Sequence, residues 1–496
     1  VARYQRLCGK KVFFLTGTDE HGSKVQKAAL AAGFESPLSF VDQTSSKFKE
    51  AWALLHISND YFIRTTEERH KKVVQEVFRR MAAKGDIYVG KYEGLYCDGC
   101  EDYLRETDLI DGNCQNHQRP PVHSQEENYF FALSRYKEPV RKWLQEGCRV
   151  LPPGRRQEVL NQLDDPELGD FSITRSRRSL TWGIPVPDDA EHVIYVWIDA
   201  LTNYITGAGF LSDDEAWRTW WPADLHLIGK DITKFHAIYW PAMLMSCDLP
   251  LPELVFGHGF ITVEGQKMSK SLGNVLDPVY LANTYGADAI RYFLFAANTF
   301  DQDGDFSKAE MIKIVNGHLA NNLGNLLNRV VTLIDKNFNG KIPALSADQK
   351  YIELAEAKTA QYRQSMNEFE FAKAIRSVFD ILDEGNKYLA DQKPWSLLKE
   401  FKQSGDQSKL NEAGAVLVTC AKLVKRAAIL LSPVTPGLCD EIWHQLGFTG
   451  KVSEITFEAP QFSHDIEPEQ SVRVKGPVFP RLEEDESATV ATTVGK

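Results

Sequence analysis

Lys11-Val12-Phe13-Phe14-Leu15-Thr16-Gly17-Thr18-Asp19-Glu20-His21-Gly22 is the stretch that decides the fold. A short apolar, β-prone run over 11–15 enters a glycine-containing polar turn over 16–22, and a helical pattern follows over 23–32. Strand, turn and helix in that order form the unit of a parallel α/β sheet, whose ligands gather at the carboxyl ends of the strands. A phosphate-cradling P-loop over 17–24 is excluded, because the segment ends Gly-Ser-Lys where that motif needs Gly-Lys-Ser/Thr. Asp19, Glu20 and His21 are therefore predicted to contact substrate. A plainer role for Asp19, capping the helix that follows, is compatible with that.

Working outward, Val193-Ile194-Tyr195-Val196-Trp197-Ile198-Asp199-Ala200 resumes the strand pattern after Trp182-Gly183-Ile184-Pro185-Val186-Pro187. Leu225-His226-Leu227-Ile228-Gly229-Lys230-Asp231 reads as a further strand, with His236 on a helix that also holds Phe235, Ile238 and Trp240. A lone acid at a strand end is usually a cap. Three such ends in one α/β unit, carrying Asp19 with His21, Asp199 and Asp231, predict a site.

Between these strands lies a metal signature. Cys97-x-x-Cys100 precedes Cys114-x-x-His117, and three thiolates with one imidazole in two tight pairs match tetrahedral Zn²⁺. Four protein ligands leave no open position, so the zinc is expected to be structural. Cys8, Cys148, Cys247, Cys420 and Cys439 are scattered and read as small buried hydrophobes. The polar segment 151–178, with Pro152-Pro153-Gly154 and the basic run Arg175, Arg177 and Arg178, reads as the return path of an insertion.

Further on, Gly265-Gln266-Lys267-Met268-Ser269-Lys270-Ser271-Leu272-Gly273-Asn274 follows an apolar run. Two ammonium groups and small hydroxyls between permissive glycines suit a mobile loop that meets polyphosphate charge growing in a transition state. A solvated surface turn is the plainer alternative. Beyond it, Ser307 and Glu310 form a capping-box pattern. A long helix is expected there, with Ile312, Val315, Leu319, Leu323, Leu326, Leu327, Val330 and Ile334 on its apolar side. Helical patterns over 347–366, 368–390, 408–431 and 434–446 complete an all-α region, read as a bundle.

The 496 residues suit about three domains. Lys and Arg number 57 against 68 Asp and Glu, a net charge of −11 that excludes a dispersed basic coat but not a local basic patch. Eight cysteines are too few for a disulfide scaffold. The most apolar long segment, 413–431, contains Lys422, Lys425 and Arg426, so it reads as an amphipathic helix and no membrane association is expected. The chain opens on Val1, and 2–7 look like the end of a helix, so the sequence is expected to be a fragment with any targeting segment upstream. The tail from Glu483 has no periodic pattern and is expected to be frayed.

Taken together, these motifs resemble the methionyl-tRNA synthetases of bacterial and organellar type, within the class I aminoacyl-tRNA synthetases. The resemblance rests on residues 17–22, the Cys/Cys/Cys/His knuckles, residues 182–187, 195–200 and 229–232, and the Lys-Met-Ser-Lys-Ser loop, and it runs from Ala2 to about Leu446. It implies an α/β fold: a Rossmann-type parallel-sheet core with a zinc-knuckle insertion, followed by an all-α helical bundle that reads the anticodon. The core would occupy 1–89, with its first strand missing, and 179–254. The insertion would span 90–178, the stem-contact region with the signature loop 255–306, the anticodon-binding domain 307–482, and a flexible tail 483–496.

The implied reaction is ATP-dependent activation of L-methionine, ATP entering with Mg²⁺, and transfer to tRNA(Met). The resemblance places Asp19 at the methionine ammonium and Trp197, Ala200, Tyr204 and His236 around the thioether. It places Gly229 and Asp231 at the adenosine ribose and amino acid, and Lys267 and Lys270 on the signature loop, with Lys270 at the phosphates. Asn325, Arg329 and Trp395 match anticodon-reading positions; for Trp395 alone, a core residue at a helix junction after Pro394 is the plainer reading. The family's His-x-Gly-His segment would precede Ala2, so the chain by itself is expected to lack full activity. The compartment would be cytoplasmic for a bacterial source and mitochondrial or plastid for a eukaryotic one. Two alternatives are a non-catalytic tRNA-binding relative and another class I synthetase. Leucine, isoleucine and valine enzymes would need a large editing insertion, and a cysteine enzyme would place zinc ligands around its amino-acid pocket.

Overall fold

The computed structural model describes residues 1–97, 102–104, 106–115, 118–146, 149–268, 274–462 and 466–483. They form two units, one of residues 13–50 with 59–259, the other of 1–12 with 51–58 and the chain from 260 onward. Each has its own apolar core.

In the first unit, strand Leu15–Thr18 pairs in parallel with Tyr61–Arg64. Leu254–His258 lies between His226–Gly229 and Arg149–Leu151, again all parallel. The first strand starts four residues later than its apolar run suggests, so Thr16, Gly17 and Thr18 are strand and not turn. The reason is steric. A Cβ on Gly17 would meet Ile63 O at 2.0 Å, so this glycine marks a close backbone approach within the sheet. Helix Ser23–Ala31 begins at Gly22 with no side-chain cap, which removes Asp19 as its N-cap.

A second expectation fails at 193–200. Strand Asp189–Ile194 ends there and helix Val196–Gly207 begins, so Trp197, Asp199 and Ala200 are helical. An unbroken apolar run does not distinguish a buried strand from a buried helix. This helix buries most of its circumference, from Ile198 to Thr206. A long antiparallel pair, Ile87–Cys97 with Val122–Phe131, is flanked by Asp102–Leu104 and Phe171–Ser172.

In the second unit, Ile261–Val263 and Gln266–Lys267 form a hairpin whose turn residues Glu264 and Gly265 are both left-handed, φ 50° and 73°. That is the two-residue turn matched to strand twist, so Gly265 closes a hairpin and is not a loop hinge. Gly273 lies outside the described residues. Ser307 precedes helix Lys308–Val315 but makes no side-chain capping bond, so the capping box is not formed. A π-helical segment, Asn316–Gly324, joins that helix to Asn325–Asn337, and all eight predicted apolar positions of the run are buried.

Helices Gln349–Asn367, Phe371–Gln392, Pro394–Ser404, Gln407–Leu431 and Pro436–Gln445 follow. Gln407–Leu431 is the bundle's central helix and is not amphipathic over 413–431. Lys425 and Arg426 are buried, their cations lying 5.1 Å from the Phe448 ring centroid and 4.0 Å from that of Phe462. Among the described residues no helix is long and apolar enough to cross a membrane.

Candidate active site and anticodon face

The strand end at Thr18 delivers residues 19–22 into a dense polar anchor. Glu20 is buried, and its carboxylate accepts from Thr18 Oγ1 (2.7 Å), Arg64 Nε (2.8 Å) and the Thr66 hydroxyl. Its backbone N–H donates to Thr65 Oγ1 (2.9 Å), and its carbonyl accepts from the Trp182 indole (2.6 Å). His21 Nδ1 donates to Asp199 Oδ2 at 2.7 Å, and His70 Nε2 to Asp199 Oδ1 at 2.7 Å. Of the three loop residues predicted to contact substrate, only Asp19 is exposed; Glu20 and His21 turn inward.

Asp199 is 1% exposed. Burial by itself would raise its pKa, but the two imidazoles outweigh it and hold the carboxyl below the usual range. The three residues Trp197, Ala200 and Tyr204 recur at helical spacing on one face of Val196–Gly207. Trp197 stacks on Phe235 with centroids 3.8 Å apart and planes 9° apart. His236 lies on the π-helical turn Phe235–Tyr239, a geometry often found at functional sites. Its Nδ1 donates to Ile232 O (3.0 Å), so Nε2 accepts from the Tyr204 hydroxyl (2.7 Å). Burial pushes His236 down to about 4 and, with neighbouring His236, pushes His226 down to about 3. Burial and the nearby Asp19 charge both raise the Tyr204 phenol. The result is an uncharged aromatic wall beside one exposed carboxylate, suited to a ligand with an ammonium next to an apolar, uncharged side chain.

Gly229 ends its strand where a Cβ would meet Asp231 Oδ1 at 2.7 Å, so the acid folds back over the glycine. His70, Thr206 and His226 belong to this centre and were not read from the sequence. His70 leaves a trace there, since it shares the apolar face of Glu68–Ala83 with Val73, Val74 and Val77. His226 alternates with Leu227 in a strand, and that gives no signal.

In the second unit Lys267 ends its hairpin, with its ammonium 5.8 Å from the Phe260 ring centroid. The Asn274 amide donates to Lys267 O at 3.2 Å across the base of the loop. Lys270 lies outside the described residues. So do Cys100 and His117, while Cys97 and Cys114 are buried, 4% and 2% exposed. The Gln118 N–H donates to Cys114 O at 2.7 Å. Among the described residues no three metal-ligating side chains cluster. Cys8 is half-buried, Cys148 lies outside the described residues, and Cys247, Cys420 and Cys439 are buried as expected.

Asn325 and Arg329, four residues apart, share an exposed face of Asn325–Asn337. Trp395, in the first turn of Pro394–Ser404, is 44% exposed, which sets aside the core-residue reading.

The family profile described as tRNA synthetases class I (M) matches residues 1–119 and 97–331, and that of the anticodon binding domain of methionyl tRNA ligase matches 342–495. The chain is 42% identical to the methionine–tRNA ligase of Thermotoga maritima, across all of this chain and 78% of that protein. The chain belongs to the methionyl class I tRNA synthetases. The chloroplastic/mitochondrial methionine–tRNA ligase of Arabidopsis thaliana is also 42% identical, over 97% of this chain and 79% of that protein. Among solved structures, the Mycobacterium tuberculosis methionyl-tRNA synthetase bound by methionyl-adenylate superposes with a TM-score of 0.91. It is 38% identical, over 97% of this chain and 94% of that one. The family's two-part plan, a parallel-sheet catalytic fold followed by helices, is the plan described above.

Proposed function

We propose that the protein activates L-methionine with ATP and transfers it to tRNA(Met), the methionine–tRNA ligase reaction of its family. The observation that carries this is the exposed Asp19 carboxylate beside the neutral Tyr204–His236 pair. Asp19 would hold the substrate ammonium. Trp197, Ala200, Tyr204 and His236 would enclose the uncharged thioether, and a neutral imidazole there avoids burying an unpaired charge. A methionine carboxylate oxygen then attacks the α-phosphorus of MgATP, and the bond to the bridging oxygen breaks as pyrophosphate leaves with the electron pair. Gly229 and Asp231 are assigned to the ribose and amino acid, Lys267 and Lys270 to the phosphates. In the second step the terminal tRNA hydroxyl attacks the acyl carbon and AMP leaves.

Residues 1–89 and 179–254 are assigned to the catalytic core, 90–178 to the zinc insertion, 255–306 to the stem contact and 307–482 to anticodon reading by Asn325, Arg329 and Trp395. Cys97, Cys100, Cys114 and His117 would hold a structural Zn²⁺; the two buried thiols Cys97 and Cys114 fit that donor set, and the ion would supply folding energy to the insertion. Methionine-dependent pyrophosphate exchange into ATP tests the assignment, measured on the full-length product of its gene. Lys270→Ala is expected to slow exchange by roughly 10²–10³-fold, the scale for losing one transition-state charge stabiliser, with little change in methionine affinity. Equal rates would reduce the loop to a surface turn.

A further inference from the structure

Asp199 stands on Val196–Gly207, the helix that carries Trp197, Ala200 and Tyr204, yet it bonds to two residues of other elements. One is His21, two residues from Asp19. The other is His70 on Glu68–Ala83, whose Nδ1 lies 3.0 Å from Thr206 Oγ1, back on the Asp199 helix. The His21 ring also lies 5.2 Å from the Trp182 ring, and Trp182 holds the Glu20 carbonyl. The loop and the helix are therefore joined through one buried carboxylate whose two oxygens are both engaged.

We propose that His21 and Asp199 are positioning residues for the amino-acid ammonium: the His21–Asp199–His70 chain sets the 19–22 loop on the 196–207 helix, so that Asp19 and the Trp197/Tyr204 wall engage one ligand together. This rests on the reading of Asp19 as the ammonium site. A buried carboxylate between two donors has one low-energy placement, and geometry fixed by such supporting residues governs how well the first contact is made. Loss of the His21 bond leaves Asp199 held by His70 and leaves the wall intact, while the loop, still anchored at Glu20, loses its tie to the 196–207 helix and with it the placement of Asp19 against the wall. The expected signature is a loss confined to ligands that carry an ammonium.

The test titrates the chain with L-methionine and with its des-amino analogue 4-(methylthio)butanoate, following tryptophan fluorescence, alongside thermal unfolding. Wild type binds methionine the more tightly. His21→Ala is expected to weaken methionine binding by about tenfold or more while leaving the analogue's affinity unchanged. His21→Asn, whose amide can occupy the place of Nδ1, is expected to restore most of the loss. Equal weakening of both ligands, or no weakening of either, overturns the proposal. If His21→Ala does not fold, Asp199→Asn and His21→Asn carry the comparison: a methionine-selective loss in Asp199→Asn supports the proposal and a parallel loss overturns it. Wild type that does not distinguish the two ligands overturns the Asp19 reading itself.

Discussion

At the scale of single residues the centre is defined by which groups are kept neutral and which are kept charged. His226 and His236 are held neutral in the fold, at about 3 and 4, whereas an unfolded histidine titrates near 6.5. Below about pH 6.5 the unfolded chain therefore binds protons that the native state refuses, so each imidazole lowers stability as pH falls from there toward its folded value. At pH 5 each is expected to remove about 2 kcal/mol relative to pH 7. Asp199 acts in a lower window: its depressed pKa adds stability above the ordinary aspartate value, lost only as pH falls further. Urea unfolding at pH 7 and pH 5 checks this, since His236→Gln should shrink the drop by about 2 kcal/mol. An undiminished drop would mean that His236 is charged in the native state. The sequence showed Asp199 as a polar residue in apolar surroundings but not its bonds to His21 and His70, because both arrive from elements remote in sequence from the 196–207 helix.

At the scale of elements, the fold was legible wherever periodicity was strong and ambiguous wherever apolar runs were continuous. The bundle helices follow the apolar spacing closely, and the rod containing Leu319 to Ile334 buries every predicted position. By contrast, the continuous apolar run 193–200 suggests strand where the chain turns into a helix at Val196, and Lys425 and Arg426 suggest a polar face where aromatic rings cover them. Helix Pro394–Ser404 was seen only as a junction, yet it presents Trp395 to solvent. With Trp395 exposed, Trp395→Ala should leave bundle stability nearly unchanged. It should weaken tRNA(Met) binding by about 1–3 kcal/mol, the range for one base–aromatic stack, with methionine activation untouched. Filter binding and thermal unfolding separate this from a packing role, which would lower the melting temperature instead. In the insertion, elemental analysis should find about one zinc per chain. Cys100→Ser should lose the metal and leave the far-ultraviolet signal of the bundle in place; full retention of zinc would refute the ligand set.

At the scale of the whole molecule, two units with separate cores divide the labour expected of the family. One unit holds the neutral Tyr204–His236 pair proposed to line the amino-acid pocket, and the other carries the signature hairpin and an exposed Asn325, Arg329 and Trp395 face. A net charge of −11 assigns nucleic-acid affinity to such local faces and not to the protein's overall field. The order of a parallel-sheet fold followed by helices was legible because each motif is local, whereas the residues that couple the 19–22 loop to the 196–207 helix are not. The most direct test is aminoacylation: the full-length product of the gene is incubated with MgATP, labelled amino acid and purified tRNA. The account predicts that labelled methionine becomes attached to tRNA(Met), that leucine, isoleucine, valine and cysteine do not, and that tRNAs with other anticodons remain uncharged. Tight binding of tRNA(Met) without formation of methionyl-tRNA would contradict it and identify a non-catalytic tRNA-binding protein.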